Sequence, residues 1–339
     1  MGDVVLLVPV LRSLVAAHEQ VEVTLVTRPR FAPFFSGIER VKVFVADVDN
    51  QYTGLFGLRR LFKNLQLTDN YSMVIDMHDH VRTMMLRNLF RLAGKKVIIF
   101  NKGREEKNAF VRKEKKVTRK LPHTVERYRS AFMQAGFEFP MIKSPYLLPT
   151  EEANKRLHEW LDSKGIKKNE KWIGIAPFAL HTSKIWPLAN YPQLIEDLVR
   201  KHNARIFLFG GGDKEVNYFN DVQSLFPEMC AVVAGQLQMA EEIALMHTLD
   251  LMICTDSSNM HLAALCGIPL LSIWGGTHPD VGFGPYGKGP ESIVQVSQPE
   301  LPCRPCSVYG TETCHRGDLA CLTRISVNDI AQRAAKLIE

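Results

Sequence analysis

The sequence predicts an α/β protein built of parallel β–α units in two halves, and three observations carry that expectation. Short Val/Ile-rich runs alternate with helical patterns along the chain, the order that lays helices on both faces of a parallel sheet. The alternation is broken once, by a Pro-rich segment at 140–152 that reads as a linker. The 339 residues, 46% hydrophobic and 23% charged, are enough for two ordinary globular cores. Two Rossmann-like domains, over 1–150 and 151–339, facing one another across a cleft are the simplest architecture with this order.

The elements follow in turn. Gly2-Asp3 opens a helical pattern, VPVLRSLVAAHEQ. VEVTLVT (21–27), VKVFVA (41–46), YSMVIDM (71–77) and KKVIIF (95–100) are β-branched runs bounded by polar or Gly/Pro residues, hence strands. The pattern GLRRLFKNLQL between the second and third is helical. The second half repeats the alternation with strands WIGIAP (172–177), ARIFLFG (204–210), CAVVAG (230–235), LDLMICTD (249–256), PLLSIWG (269–275) and SIVQVS (292–297). SVNDIAQRAAKLIE closes the chain as a helix. No internal repeat is visible beyond the shared alternation.

Several classes are disfavoured at once. No apolar stretch reaches the roughly 18–20 residues that span a bilayer. Asp3 stands where a signal peptide would carry positive charge, and seven cysteines do not suggest a secreted disulfide framework. A cytoplasmic enzyme or binding protein is the expectation. The net charge of +6 is concentrated in KGREEKNAFVRKEKKVTRK (102–120), with nine Lys/Arg against three Glu. That run is either a solvated face or a surface for anionic lipid or a phosphorylated acceptor. It lacks the interleaved aromatics that would favour nucleic acid.

In parallel sheets ligands sit beyond the carboxyl ends of the strands. Four such junctions in the second half carry unusual residues: FALHTSKIWP with Lys184, GGDKE whose glycines let a backbone approach a ligand closely, QLQMAEEIALM, and Asp256-Ser257-Ser258-Asn259-Met260-His261. Helix N-termini present unpaired N–H groups and partial positive charge, a seat for phosphate. Each junction has a plainer reading. Ser257 or Ser258 could simply cap a helix, His261 could be a core histidine, and Lys184 could lie along Trp186 at the surface. Their coincidence at one sheet edge favours a nucleotide pocket. In the first half, Asp3 stands at a helix start on the side expected to face the cleft. DMHDHVRT (76–83) brings His78, His80 and Arg82 to a strand end; its His-x-His spacing has no further acid or Cys to complete a metal site.

These motifs, together with TDSSNMHLAALCGIPLLSIWGGTHP and the spaced cysteines CRPC…C……C, resemble glycosyltransferase family 9, the lipopolysaccharide heptosyltransferases, in order over nearly the whole chain. The resemblance implies a GT-B fold. It also implies inverting transfer of heptose, usually from ADP-heptose, to the inner core of lipopolysaccharide (a Kdo-lipid A type acceptor), with no metal or other cofactor required. Carried over, Asp3 matches the general base, Lys184 the lysine at the donor phosphates, Glu215 the acid at the ribose and Asp256 the acid near the sugar. Ser257, Ser258 and His261 match the helix start around the diphosphate, and Leu237 the position whose backbone borders the adenine. His78, His80 and Arg82 are the acceptor-side candidates. Where the family most often has Gly, this sequence has Ser258. The family also begins with a strand ahead of the Met-Gly-Asp loop at which this sequence starts, so the first domain is expected to lack its first strand. A lipid-linked acceptor implies work at the cytoplasmic face of the inner membrane. A nucleotide-sugar epimerase of the same fold and a non-catalytic nucleotide-sugar-binding protein are the alternatives.

Cys303, Cys306, Cys314 and Cys321 form C-x2-C-x7-C-x6-C. That spacing can hold structural zinc; reduced thiols packed in a loop-rich segment are the plainer expectation.

Overall fold

The computed structural model describes every residue except 115, 117 and 118. In chain order its first elements are α1 (Gly2–Val5), α2 (Val8–Ala17), β1 (Val23–Thr27), β2 (Val41–Val45), α3 (Gly54–Thr68), β3 (Met73–Asp76), α4 (Val81–Leu92), β4 (Lys96–Ile99), α5 (Arg104–Phe110) and α6 (Thr124–Ala135). There follow α7 (Glu151–Ser163), β5 (Lys171–Ala176), α8 (Tyr191–His202), β6 (Ala204–Leu208), α9 (Asp213–Leu225), β7 (Cys230–Val232), α10 (Met239–Met246), β8 (Leu251–Thr255), α11 (Ser258–Cys266), β9 (Leu270–Trp274), β10 (Ile293–Gln295), α12 (Ala320–Thr323) and α13 (Val327–Ile338). Each strand expected from the sequence forms, most of them trimmed by a few residues at the ends and β5 shifted by one toward the N-terminus.

The chain divides into two compact units. One comprises Met1, Asp3–Arg104 and Pro122–Lys143; the other comprises Gly2, Glu105–Leu121 and Ser144–Glu339. The break thus falls after Lys143 rather than after 150, and 105–121 clusters with the second unit. Contacts explain both shifts. Tyr146 and Leu147 are buried, and their amides donate to the Leu265 carbonyl at 2.7 and 3.1 Å, so the Pro-rich segment is docked rather than a free linker. Phe110 and Leu121 bury against Val281, and the Leu121 amide donates to Asp280 O at 2.9 Å.

In the first unit β1 pairs with β2 and β3 with β4, both parallel, as two separate ladders rather than one sheet. α2 is apolar around most of its circumference, and Val8, Val10, Leu11 and Leu14 are all buried, as expected of a helix enclosed by its domain.

The second unit contains a six-stranded parallel sheet in the order β10-β9-β8-β5-β6-β7. β5, β8 and β9 are buried on both faces, which is why their sequences read as continuous apolar runs instead of alternating ones. Ile173, Ile175, Ile206, Leu251, Ile253 and Ile273 lie at the centre of its core. The sheet grows outward in opposite directions from the β5–β8 pair. At that reversal the following helices leave on opposite faces and open a crevice at the strands' carboxyl ends. α13 is capped by Ser326, whose Oγ accepts from the Asp329 amide at 3.0 Å, and the helix closes over the core.

Candidate active site

The reversal point places two of the expected residues together. Lys184 follows β5 and Asp256 follows β8. Lys184 Nζ lies 2.9 Å from Asp256 Oδ2, with the two side chains 15% and 7% exposed. Thr277, just beyond β9, donates to the same oxygen at 2.7 Å. Thr255 Oγ1 donates to Phe178 O at 3.2 Å and ties the ends of β8 and β5 to each other. At this depth the ion pair and hydroxyl offset the desolvation of both charges. Lys184 is therefore not a lysine lying along Trp186. The indole is fully buried, edge-on to Tyr191, with Nε1 donating to Ile325 O at 3.0 Å.

The loop carrying Lys184 is held from behind. Gly276 N donates to Ser183 O at 2.9 Å, and Ser183 Oγ donates to Gly310 O at 2.8 Å. A Cβ at Gly275 would collide with Ser183 O, and one at Gly310 would lie 2.7 Å from Lys184 Cε. Glycine at both positions is what allows the approach.

β8 then turns through Asp256 and Ser257 into α11. Ser257 is the N-cap residue in extended geometry, yet its side chain makes no capping bond, and its buried Oγ has no hydrogen-bond partner. The simple capping explanation for Ser257 fails on that point. Ser258 is the first helical residue, and the first-turn amides of α11 receive no side-chain cap. His261 follows in the same turn and is buried.

The remaining junctions line the same edge, because all six strands are parallel. After β6 the chain runs through Gly210-Gly211-Gly212, the last in the left-handed region at φ 86°, into α9. Glu215 accepts from Gly211 N at 2.8 Å; burial pushes its carboxyl up, and that amide partly opposes the shift. Leu237 sits in the turn after β7 with its amide 3.3 Å from Val233 O.

In the first unit Asp76, at the end of β3, organises the loop. Its Oδ1 accepts from the amides of His78 (3.0 Å) and Asp79 (2.9 Å), and its Oδ2 from Arg87 at 2.7 Å. Arg87 also reaches Asp79 at 2.9 Å, and Arg104 pairs with Asp79 at 3.2 Å. His78 and His80 stack with centroids 5.4 Å apart, His80 N donates to Thr83 Oγ1 at 3.0 Å, and Arg82 stands 4.0 Å from Asp49. Asp3 is exposed, and its carbonyl accepts from Tyr128 OH at 3.0 Å. Burial lowers the His78 imidazole, with Lys102 and His80 pushing the same way and Asp76 and Asp3 opposing. Asp3, His78 and Lys102 thus share one electrostatic neighbourhood.

Sequence reasoning missed Thr277 and Lys102. Both stand just past a strand end, β9 and β4, so the junction rule applied to every strand would have found them. The basic run divides: Arg104, Arg112, Lys113, Arg119 and Lys120 are exposed, as a solvated face requires, while two of its lysines turn inward. Lys107 is buried with Nζ 4.0 Å from the centre of the Phe283 ring, and Lys116 Nζ donates to the carbonyls of Pro302, Cys303 and Arg304 at 3.0, 2.8 and 2.9 Å. Lys107 and Lys116 thus help hold the fold together; residues 115, 117 and 118 of the run lie outside the described residues.

Cys303, Cys306, Cys314 and Cys321 line one cavity together with Ser183 and Arg304, all as free thiols. Burial raises Cys306, and the neighbouring thiols add to it; burial also pushes Cys321 up to about 11, against the pull of Arg304. Among the described residues no group of three or more His, Cys, Asp or Glu side chains is placed to hold a metal ion. Arg304 braces the site from this side, donating to Gly275 O at 2.6 Å and Thr277 O at 3.0 Å. No helix among the described residues is long and apolar enough to cross a membrane.

Known proteins share this fold. The chain is 24% identical over 288 residues to lipopolysaccharide heptosyltransferase 3 of Escherichia coli, covering 81% of each chain. Its fold matches a glycosyl transferase family 9 crystal structure from Veillonella parvula DSM 2008 with a TM-score of 0.75 at 20% identity, over 100% of this chain and 94% of that one. It matches the E. coli ADP-heptose lps heptosyltransferase II structure with a TM-score of 0.70 at 18% identity, over 99% and 95%. The family model for glycosyltransferase family 9 (heptosyltransferase) matches residues 58–315, the greater part of the chain, and the protein belongs to that family.

Proposed function

We propose that the protein transfers a heptose from ADP-heptose to the inner core of lipopolysaccharide, on a Kdo-lipid A type acceptor, with inversion at the anomeric carbon. The observation that carries this reading is the Lys184–Asp256–Thr277 cluster at the reversal point of the six-stranded sheet, beside an uncapped helix start. The first-turn amides of α11, Ser257, Ser258 and His261 receive the diphosphate; Glu215 takes the ribose and the Leu237 backbone borders the adenine. The acceptor oxygen attacks C1 and forms the new C1–O bond. The bond from C1 to the phosphate oxygen breaks, and its electron pair leaves with ADP. Asp3 accepts the hydroxyl proton. Lys184 and the helix amides take up the charge that grows on the leaving diphosphate, in place of a divalent cation, while Asp256 keeps Lys184 aimed. His78, His80 and Arg82 sit on the acceptor side, and the lipid-linked acceptor puts the reaction at the cytoplasmic membrane face. Incubation of the protein with ADP-heptose and Kdo-lipid A, read by mass, should show addition of one heptose that EDTA does not suppress. Conversion of the donor with no acceptor present would point to an epimerase instead, and binding without turnover to a non-catalytic protein.

A further inference from the structure

Two helices of the first unit turn apolar side chains outward where a water-facing helix is ordinarily polar. In α3, Phe56 and Leu67, 91% and 86% exposed, bracket Arg60 and Lys63. The spacings of four, three and four residues put all of them on one stripe, opposite the buried Leu58, Leu61 and Leu65. In α4, Val81, Met84, Met85 and Leu92 make a similar outward stripe, with Leu92 87% exposed, while Arg87 and Phe90 face inward. α3 and α4 pack against one another, so the stripes belong to neighbouring helices. Neither helix contains an Asp or Glu. Arg59, Arg60, Lys63 and Arg91 form no ion pair among the described residues; of the remaining cations, Arg82 reaches Asp49 and Arg87 is committed to Asp76 and Asp79.

Large exposed apolar side chains grouped with unpaired cations and no acids narrow the partner. A second copy of the same face would press like charges together. A lipid surface offers both requirements at once, hydrocarbon for the apolar tips and negative headgroups for the cations. We propose that the α3–α4 face docks on an anionic phospholipid surface. The proposal deepens the reading that the acceptor is lipid-linked, by naming the part of the chain that meets the membrane.

The test is sedimentation of the intact protein with vesicles of phosphatidylethanolamine and phosphatidylglycerol, against vesicles of phosphatidylcholine alone, without donor or acceptor. The protein should pellet with the first and not the second, and salt should release it. Replacing Arg59, Arg60 and Lys63 together by Gln is expected to weaken partitioning on the order of 10²-fold, about fivefold per cation. Phe56→Ser with Leu67→Ser should also release the protein and should keep the wild-type unfolding midpoint because both side chains face water, while the triple Gln variant gives up only the contact of Arg60 with the Tyr52 ring at 5.6 Å. Equal binding to both vesicle types, no binding, or binding that neither variant alters would overturn the proposal. So would a concentration-dependent dimer that the Phe56→Ser, Leu67→Ser variant abolishes. Vesicle binding by a protein that fails to transfer heptose would leave the docking face standing and remove only the functional reading.

Discussion

Replacement of Lys184 by Met separates the two roles that the buried pair with Asp256 could have. At 2.9 Å and an effective dielectric of about 20, the attraction is about 6 kcal/mol before desolvation is subtracted. Removing the cation leaves Asp256, among the described residues, with the Thr277 hydroxyl as its side-chain partner. An uncompensated buried carboxylate costs about 3–5 kcal/mol. Urea unfolding should therefore show a large loss for Lys184→Met, and adding Asp256→Asn should recover most of it, because the amide no longer needs a counter-ion. Catalysis should behave differently. Loss of a positive charge at the leaving diphosphate is expected to lower kcat/KM by about 10²-fold or more, and the double variant should not regain it. Both parameters are measured at a temperature where each variant remains folded, with ADP affinity followed by calorimetry. A Lys184→Met protein that is destabilised yet keeps kcat/KM within about threefold of wild type would refute the catalytic argument. The lysine would then be a counter-ion for Asp256 alone.

Three further outcomes are expected. Asp3→Asn keeps shape but cannot accept a proton, so transfer should fall by about 10²-fold or more while ADP binding is unchanged; undiminished turnover would remove Asp3 and direct attention to His78. Glu242, buried in the first turn of α10, is pushed up to about 8 by burial, with Glu241 adding to it. The folded chain then holds a proton that the unfolded chain releases near its ordinary value. That stabilisation is complete below the unfolded pKa and is lost as pH rises toward about 8, by up to about 1.4 kcal/mol per pH unit. Glu242→Gln should flatten this slope in urea titrations between pH 5 and pH 8, and an unchanged slope would show that another group sets it. Thiol titration of the unfolded protein should find all seven cysteines reduced, with no stoichiometric zinc released; zinc at one per chain would make Cys303, Cys306, Cys314 and Cys321 ligands.

The strand set was legible in the sequence because strands such as β5, β8 and β9, buried on both faces, are apolar at nearly every position, and such runs need no partner to be recognised. The junction residues were legible for a related reason: a polar cluster that interrupts an apolar run marks the carboxyl end of a strand, where ligands sit. Lys184 and Asp256 were singled out that way, whereas Glu215 came from the family resemblance. What the sequence could not supply was pairing across distance. Nothing local says that Lys184 meets Asp256, far along the chain, since the reversal of strand order between β5 and β8 alone brings those two ends together. Ser257 reads as a cap in any local pattern, and only the geometry of its turn shows the hydroxyl unspent on capping. The basic run is the opposite case. Its composition suggests a charged outer face, and Arg104, Arg112, Lys113, Arg119 and Lys120 are exposed, but Lys107 and Lys116 turn inward onto an aromatic ring and three carbonyls. Local sequence limits what a segment can be, through periodicity and propensity. Which long-range partner satisfies each buried charge is decided by the order in which the strands assemble.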